Sequence, residues 1–287
     1  MRRTGAQKSV FAAARRRHRK RVCWLLMSRL LAINDIRSKL QRGEPSVGCW
    51  LQLPSSDVAE IVGAAGFDWV AVDAEHGAID PAQYPDIFRA IELGGALPLV
   101  RVPAAEEVAC RRALDAGAGG VIVPRIESAG QLRALRGAVR WPPDGHRGVG
   151  FSRANHYGVG FDDYREEAQA PLFVAMIESA AGLANVGEIA AVEGVDSIFI
   201  GPYDLSASLG ATGDITGPLL QSAMAEITSA AEAAGVPIGI HSVSPSREDL
   251  QATIDLGFLF VAYSTDALVL ATALREARIT APDRLAE

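Results

Sequence analysis

Lysine is missing from almost the whole chain. No lysine follows Lys39 in the 287 residues. Aldolases and decarboxylases that act through a Schiff base need a lysine amine in the active site. The body of the chain therefore cannot use that mechanism, and carbanion chemistry next to a carbonyl group would have to rely on a metal ion as the electron sink.

Cysteine, aromatic residues and long apolar runs are scarce as well. The three cysteines (Cys23, Cys49 and Cys110) are odd in number and lack metal-type spacing, which indicates a reducing compartment. Aromatic residues make up 6% of the chain against 49% for hydrophobic residues, so we expect an aliphatic core. No run reaches the roughly 18 apolar residues of a membrane span. These features predict a cytoplasmic α/β protein that does not enter a membrane.

Acidic and basic residues are unevenly distributed. Residues 1–26 carry nine of the 28 basic residues and no acidic one, so 19 basic residues remain against 34 acidic residues in the rest of the chain. Such an acidic body repels nucleic acid. The basic head could be a targeting segment, a nucleic-acid-binding arm or sequence upstream of the true start. Arg29 interrupts its apolar run and no small-residue cleavage site follows, which disfavours a secretory signal. We expect an unstructured extension, with Met27 as a plausible start.

Eight short, nearly continuous aliphatic segments alternate with amphipathic stretches from residue 47 onward. Such segments are typical of parallel strands covered on both faces, and the intervening stretches often end in Ala-Gly or Leu-Gly, as in repeated βα units. The predicted strands are VGCWLQL (47–53), WVAVDAE (69–75), LPLVRV (97–102), GVIVPRI (120–126), PLFVAMIE (171–178), SIFIGP (197–202), VPIGIHS (236–242) and FLFVAYS (258–264).

This count predicts an α/β fold, a single-domain (β/α)8 TIM barrel over residues 44–287, preceded by the extension and a first helix within 1–43. A doubly wound open sheet is the structural alternative, although no G-x-G-x-x-G follows the first strand. The segment 141–164 is too long for an ordinary loop and contains no clear strand. Loops of that length are usually functional, so we expect a lid-like role for it.

Polar residues follow the predicted strands at their C-terminal ends, where barrels of this type build their active sites. They are Gln52, Asp73, Glu75, His76, Arg101, Arg125, Glu178, Tyr203, Asp204, His241, Ser264 and Thr265. Glu178 and Asp204 end consecutive strands and could hold Mg2+ or Mn2+, leaving coordination positions for a chelating 2-oxo acid. The alternative is that each carboxylate caps the helix that follows it.

Arg101 and His76 at the same rim are candidates for anion binding and for proton transfer. Arg101 would present a planar cation to a carboxylate or to a developing enolate oxygen, although a surface ion pair is the common role of arginine. His76 is a natural acid or base because its ordinary pKa lies near neutrality; a loop or helix-capping histidine is the alternative. His241 repeats the pattern more weakly, and Asp73 and Glu75 lie close to His76. The loops after the last two strands are poor in glycine, so phosphorylated substrates are not expected.

From about Glu44 to Leu274, the chain resembles the HpcH/HpaI family of metal-dependent (class II) pyruvate aldolases. Six motifs in the correct order carry this resemblance: GCWLQL, FDWVAVDAEHG, VRVP, RGVG, IES and FIGPYDLSASLG. The resemblance implies one divalent metal ion per subunit (Mg2+, Mn2+ or Co2+) on Glu178 and Asp204. It also implies that His76 is the catalytic base and that Arg101 binds the pyruvyl oxygen and stabilises the enolate.

Further roles rest on the resemblance alone. Asp115 would support the histidine from a neighbouring subunit, and a hexamer (a trimer of dimers) would exchange C-terminal helices. The pyruvate carboxylate would lie on the backbone of Gly201, Pro202, Tyr203 and Asp204, with Trp50 at the border of the pocket. Two positions depart from relatives: Met176 stands where some relatives have a glutamine, and Tyr203 stands where many have a small residue. Both would line the channel for the aldehyde.

These observations predict an aldolase that cleaves a 4-hydroxy-2-oxo acid to pyruvate and an aldehyde and also runs in reverse. The partners would be those small molecules and further copies of the chain, with no nucleic acid. Two alternatives remain: a related metal-dependent lyase acting on a CoA ester or another 2-oxo acid, as in the citrate lyase β-type class, and a barrel that binds without catalysis.

Overall fold

Eight parallel strands close into a barrel in sequence order, in a computed structural model that describes residues 29–279. The strands are β1 (Ser46–Leu51), β2 (Trp69–Asp73), β3 (Leu97–Arg101), β4 (Gly120–Val123), β5 (Leu172–Ile177), β6 (Ser197–Ile200), β7 (Ile238–Ser242) and β8 (Phe260–Thr265). Each strand pairs with the next, and β8 returns to pair with β1. The predicted barrel is confirmed, because an open sheet would leave β1 and β8 as unpaired edges.

Helices surround this barrel. They are α1 (29–41), α2 (Ser56–Gly63), α3 (Tyr84–Gly94), α4 (Glu107–Ala116), α5 (Ala129–Val139), α6 (Arg165–Gln169), α7 (Ala180–Ala184), α8 (Val186–Ala190), α9 (Pro202–Ser208), α10 (Pro218–Ala234), α11 (Arg247–Asp255) and α12 (Asp266–Ile279), with a 3-10 helix at Arg153–Gly158. Within residues 29–279, no helix is both long and apolar enough to cross a membrane.

Strand β4 is shorter than predicted. It ends at Val123 instead of Ile126, because Pro124 has no N–H to donate to a neighbouring strand and Arg125 adopts a positive φ of 51°. The chain therefore leaves the sheet three residues early. Arg125 lies in a loop at the rim, where its backbone N–H is free to bind a side chain.

Aromatic side chains occupy the centre of the barrel. Trp50, Trp69, Phe199 and Phe260 are fully buried, and the ring centroids of Trp69 and Phe260 lie 4.4 Å apart. Gly48 makes room for this stack, since a Cβ atom there would lie 2.1 Å from the indole of Trp69. The prediction of an aliphatic core therefore holds for the large layer between strands and helices, which is mainly aliphatic, but less well for the smaller barrel interior, where these four aromatic residues are a large share of the cluster.

Helix α1 closes the N-terminal end of the barrel. Its Ile33, Ile36 and Leu40 are buried against interior side chains such as Leu97. Burial of side chains of this size contributes about 1.5–3 kcal/mol each. The first helix, grouped with the basic extension in the sequence, thus packs as part of the barrel. The predictions for residues 1–26 and for a start at Met27 lie outside the described residues.

The segment 141–164 packs beside α4 and not over the active-site end. Trp141 and Tyr164 meet edge to face, with ring centroids 5.3 Å apart, and Arg153 donates a hydrogen bond to the carbonyl of Ala116 at the end of α4 (3.0 Å). None of the described residues that line the main cavity comes from this segment. The lid-like role expected for it is therefore not seen in the single chain.

Candidate active site

A cavity of about 310 Å³ opens at the C-terminal ends of the strands. It is lined by Trp50, Gln52, His76, Arg101, Met176, Glu178, Ile200, Gly201, Pro202, Tyr203, Asp204, His241, Val243 and Thr265. Every residue that the sequence suggested for metal or substrate binding is among them, together with His76 and His241. Asp73, Glu75 and Asp115 are not.

Asp73 anchors Arg101 from behind the cavity. The Asp73 carboxylate is fully buried and accepts from Nε (2.9 Å) and Nη2 (2.6 Å) of Arg101 and from Nε2 of Gln52 (2.9 Å). Burial by itself would raise the pKa of Asp73, but the hydrogen bonds and charge of Arg101 outweigh burial and lower it. Asp73 is therefore a permanent anion that holds the guanidinium, rather than a group that exchanges protons.

The same carboxylate shapes the turn after β2. Its Oδ1 accepts from the backbone N–H groups of Glu75 and His76, both at 3.2 Å. Asp73 thereby fixes the loop that carries His76 to the cavity, as aspartate side chains often do in turns. A single carboxylate at the end of β2 thus orders both the arginine of the next strand and the loop that follows its own strand.

Arg101 faces the cavity across Trp50. Its guanidinium carbon lies 4.7 Å from the indole centroid, and its Nη1 lies 3.4 Å from Oε2 of Glu75. Burial by itself would lower the pKa of Arg101. The hydrogen bonds to Asp73 and its negative charge outweigh burial, so the pKa is raised. The side chain is thus a charged, preorganised cation, and the alternative of a surface ion pair does not describe it.

The side chain of His76 is more exposed to solvent than those of Asp73, Glu75 and Arg101. Its imidazole is 54% exposed, and Nε2 lies 4.0 Å from Oε2 of Glu75. Burial is the main reason that the pKa of Glu75 is raised. A half-exposed imidazole beside a carboxylate can exchange protons with both water and a ligand in the cavity.

Glu178 is buried with an incomplete set of partners. Its Oε1 accepts from the backbone N–H of Arg125 at 2.8 Å. Burial, followed by the negative charges of Glu75 and Asp204, raises the pKa of Glu178 to about 7. A Cβ atom at Gly201 would lie 2.6 Å from Oε2 of Glu178, so only glycine leaves that oxygen free. The negative charges around Glu178 therefore outweigh the opposing effect of the Arg101 cation.

The helix-capping alternatives for the two carboxylates are wrong. The N-cap of α7 is Ser179, whose side chain accepts from the N–H of Gly182, and not Glu178. The N-cap of α9 is Gly201, and Asp204 lies in the first turn without making a capping hydrogen bond. Both carboxylates are thus free to act in the cavity that they line.

The pair fits a hard divalent cation. Two carboxylates from consecutive strands face one cavity, and their mutual repulsion would be relieved by a positive ion. In the described part of the chain, no group of three or more His, Cys, Asp or Glu side chains could hold a metal. The protein would therefore supply two oxygen ligands, and water or substrate the others, which is the usual arrangement for Mg2+.

Asp115 lies away from this cavity. It is near the end of α4, 39% exposed, and accepts from Nη2 of the buried Arg147 at 2.7 Å. Among the described residues its hydrogen bond and ion pair are to Arg147 and not to a cavity residue, so the role that the resemblance gives it stays a prediction about another subunit.

Sequence reasoning missed two features of the site. Ile200 and Val243 line the cavity but carry no polar signal that would distinguish them from other strand residues. The N–H of Arg125 holds Glu178, and only the positive φ of this non-glycine residue, which a sequence does not reveal, places it there.

Comparison with known proteins identifies the family of this chain. The model of the HpcH/HpaI aldolase/citrate lyase family matches residues 46–273. The chain belongs to this family. It is 37% identical to the hydroxypyruvate/pyruvate aldolase of Roseobacter denitrificans, covering 83% of this chain and 93% of that protein. It is 38% identical to the 2-dehydro-3,6-dideoxy-6-sulfogluconate aldolase of Pseudomonas putida, covering 86% and 96%.

A solved structure of another family member has the same fold. An HpcH/HpaI aldolase/citrate lyase family protein from Burkholderia cenocepacia superposes with a TM-score of 0.79 at 37% identity, covering 86% of this chain and 98% of that one. The resemblance inferred from the sequence motifs is thus confirmed. In this HpcH/HpaI member, the matched region runs from β1 into α12 and includes every strand that contributes to the cavity.

Proposed function

We propose that the chain is a divalent-metal-dependent aldolase that cleaves a 4-hydroxy-2-oxo acid to pyruvate and an aldehyde, and that also catalyses the reverse addition. The observation that carries the proposal is the meeting of Glu178, Asp204 and Arg101 in one cavity of a barrel without an available lysine. The relatives named as aldolases support the reaction class.

Glu178 and Asp204 would hold one Mg2+, Mn2+ or Co2+ ion. When bound, the ion would supply the positive charge that polarises the keto group of a 2-oxo acid. The backbone from Gly201 to Asp204 would bind the carboxylate of the same molecule. Because Gly201 has no side chain, the substrate can approach Glu178 closely.

Arg101 would bind the keto oxygen and stabilise the negative charge that develops on it when the C3–C4 bond breaks. Two of its nitrogens are held by Asp73, so the guanidinium is positioned before the substrate arrives. Charge stabilisation by such a preorganised group is usually a large part of catalysis. Trp50 covers one face of the guanidinium and limits the access of water.

His76 would move the proton. In the cleavage direction its imidazole would accept the proton of the 4-hydroxyl group, and C3 of the resulting enolate would then take up one proton to give pyruvate. In the addition direction C3 of pyruvate would lose a proton to form the enolate, and His76 would give a proton to the aldehyde oxygen. The exposure of His76 allows exchange with solvent between turnovers.

Assembly would complete this site. We infer a homo-oligomer, a hexamer built as a trimer of dimers with exchanged C-terminal helices, in which Asp115 supports His76 of a neighbouring subunit. Helix α12 supports the inference, because Val269, Leu270 and Leu274 are 37%, 51% and 64% exposed on it. Apolar side chains grouped on one helix are typical of a surface that another subunit covers.

The test is pyruvate release from 4-hydroxy-2-oxo acids, followed with lactate dehydrogenase. The assay is run with chelator and then with Mg2+, Mn2+ or Co2+, for the wild type, for Glu178→Ala and for the surface control Glu226→Gln. Release that requires metal and is lost only in Glu178→Ala supports the proposal. If neither short nor long 4-hydroxy-2-oxo acids release pyruvate, and CoA esters or other 2-oxo acids are cleaved instead, the related lyase is favoured. If none of these substrates reacts while metal is bound, the non-catalytic barrel is favoured.

A further inference from the structure

Uncharged polar groups form the side of the cavity built by β7, β8 and β1. His241 is on β7, Thr265 ends β8, and Gln52 follows β1. We call these three residues the polar wall. Glu178 follows β5, and Asp204 lies in the first turn of α9 after β6, so the two carboxylates and the polar wall are on different sides of one cavity.

The imidazole of His241 has a defined tautomer. Its Nε2 lies 3.0 Å from the carbonyl oxygen of Ser264, and a carbonyl only accepts, so Nε2 carries the hydrogen. Nδ1 is then a bare acceptor, and no hydrogen bond to it from the described residues is present. The ring is held edge to face against Trp50, with centroids 5.8 Å apart.

A bulge in β8 builds this contact. Cys49 pairs with Tyr263 and Trp50 with Thr265, so Ser264 is an extra residue in the ladder. Ser264 also has a positive φ of 44°, which costs energy for a residue other than glycine. Bulges frequently redirect backbone groups next to active sites, and this one directs a carbonyl to His241.

Neutrality of the imidazole is maintained by its surroundings. Burial, with a smaller contribution from the charge of Arg101, lowers the pKa of His241 to about 4. The ring therefore stays uncharged at neutral pH and does not act as a second cation.

The other members of the wall are also left with free hydrogen-bonding capacity. Gln52 uses Nε2 to donate to Asp73, which leaves Oε1 as an acceptor. Thr265 accepts the N–H of Leu268 at Oγ1, which leaves its hydroxyl hydrogen to donate. The wall thus offers two acceptors and one donor, a set that complements hydroxyl groups and would repel an anion.

Cations are scarce around the cavity. Apart from the imidazoles, Arg101 is the only basic side chain among its described lining residues, and Asp73 already occupies two of its nitrogens. A second carboxylate, sulfonate or phosphate on the substrate would therefore find no further cationic side chain among the described residues that line the cavity of the single chain.

We propose that the polar wall, centred on His241, binds hydroxyl groups of the substrate, so that the preferred substrates are hydroxylated and carry no second anionic group. This inference rests on the proposed aldolase function. The hydroxyl could belong to the aldehyde or to C3 of the 2-oxo acid, and the chemistry of recognition is the same in both cases.

The experiment measures aldol addition with matched pairs of substrates. The first pair is glyceraldehyde against propanal with pyruvate as the common 2-oxo acid, and the second is hydroxypyruvate against pyruvate with propanal as the common aldehyde. A third comparison uses succinic semialdehyde, which adds a carboxylate. The readout is the ratio of kcat/KM within each pair, because a ratio is insensitive to the fraction of active enzyme.

Four variants locate the effect. His241→Leu should lower the preference for the hydroxylated partner in at least one pair by about tenfold, as expected for the loss of one hydrogen bond to a substrate hydroxyl. His241→Gln keeps a donor for Ser264 without the Nδ1 acceptor and should behave likewise. His241→Asn keeps an acceptor near the position of Nδ1 and should retain most of the preference. The exposed His146→Leu should leave both ratios unchanged.

The possible results distinguish a failure of the polar-wall inference from a failure of the proposed aldolase function. A change confined to one pair supports the inference and shows which part of the substrate carries the hydroxyl. Unchanged ratios in His241→Leu and His241→Gln, or a wild type that prefers succinic semialdehyde to glyceraldehyde, would overturn it while leaving the aldolase function intact. Absence of addition with every pair would instead refute the aldolase function on which it rests.

Discussion

Replacement of Glu178 by glutamine should stabilise the metal-free protein at alkaline pH. The carboxylate is buried near Glu75 and Asp204, and this environment raises its pKa from an ordinary value of 4.5 to about 7. A raised pKa means that the folded state favours the protonated acid. Glutamine keeps the acceptor for the N–H of Arg125 and adds no charge, so Glu178→Gln removes only the electrostatic cost.

Proton linkage explains why the stability of the wild type falls as the pH rises. Between pH 4.5 and about 7 the folded protein binds more protons at this site than the unfolded chain, so stability falls as pH rises through that interval. The full difference between the two pKa values corresponds to at most about 3 kcal/mol. Wild type and Glu178→Gln should therefore be nearly equal at pH 4.5, and the variant should be more stable at pH 8.

Thermal unfolding at fixed protein concentration measures this difference. In the presence of chelator at pH 8, about 3 kcal/mol would raise the Tm of the variant by roughly 6–12 °C. Added Mn2+ should remove most of this difference, because it binds the wild-type carboxylate; at 100 times its Kd it would stabilise the wild type by about 2.7 kcal/mol. The exposed Glu226→Gln should follow the wild type in both conditions.

Two results would refute the reasoning. If chelated Glu178→Gln is no more stable than the wild type at pH 8, the carboxylate does not carry the proposed electrostatic cost. If Mn2+ stabilises the variant as much as the wild type, Glu178 does not bind the ion.

Three other substitutions test separate parts of the structure. Asp73→Asn removes the anion that holds Arg101, and loss of one partner of a buried pair should cost about 3–5 kcal/mol in unfolding free energy and lower kcat/KM at least tenfold; an unchanged kcat/KM would contradict the anchoring role. Gly201→Ala would place Cβ 2.6 Å from the Glu178 carboxylate, so the Kd for Mn2+, measured by calorimetry, should rise at least tenfold, whereas an unaltered Kd would show that the oxygen can move aside. Leu274→Glu should lower the mass seen by light scattering if α12 is a subunit interface, and an unchanged oligomer would exclude Leu274 from that interface.

Much of the fold was predictable because its pattern is local. Each strand is a short aliphatic run with an amphipathic helix after it, and the order of strands in a barrel follows the order of the chain. The rim residues were predictable for the same reason: parallel strands all end at one edge, so the residues after Val72, Ile177 and Ile200 had to come together.

Other features depend on contacts between distant residues. The capping interpretation of Glu178 failed because its partner is the N–H of Arg125, which is 53 positions away in sequence. The lid-like role expected for 141–164 is not seen in the single chain, because that segment binds the end of α4, and the length of a loop does not indicate the surface on which it packs.

The barrel, the acidic pair at its rim and the absence of a Schiff-base lysine could be predicted from the amino-acid sequence, since they follow from periodicity, strand order and composition. That Asp73 is an anchor and that His241 is a neutral acceptor became visible only in the folded barrel. The physical reason is that a side chain's charge state and free lone pairs depend on burial and on partners from other strands, which the chain brings together only when the barrel closes.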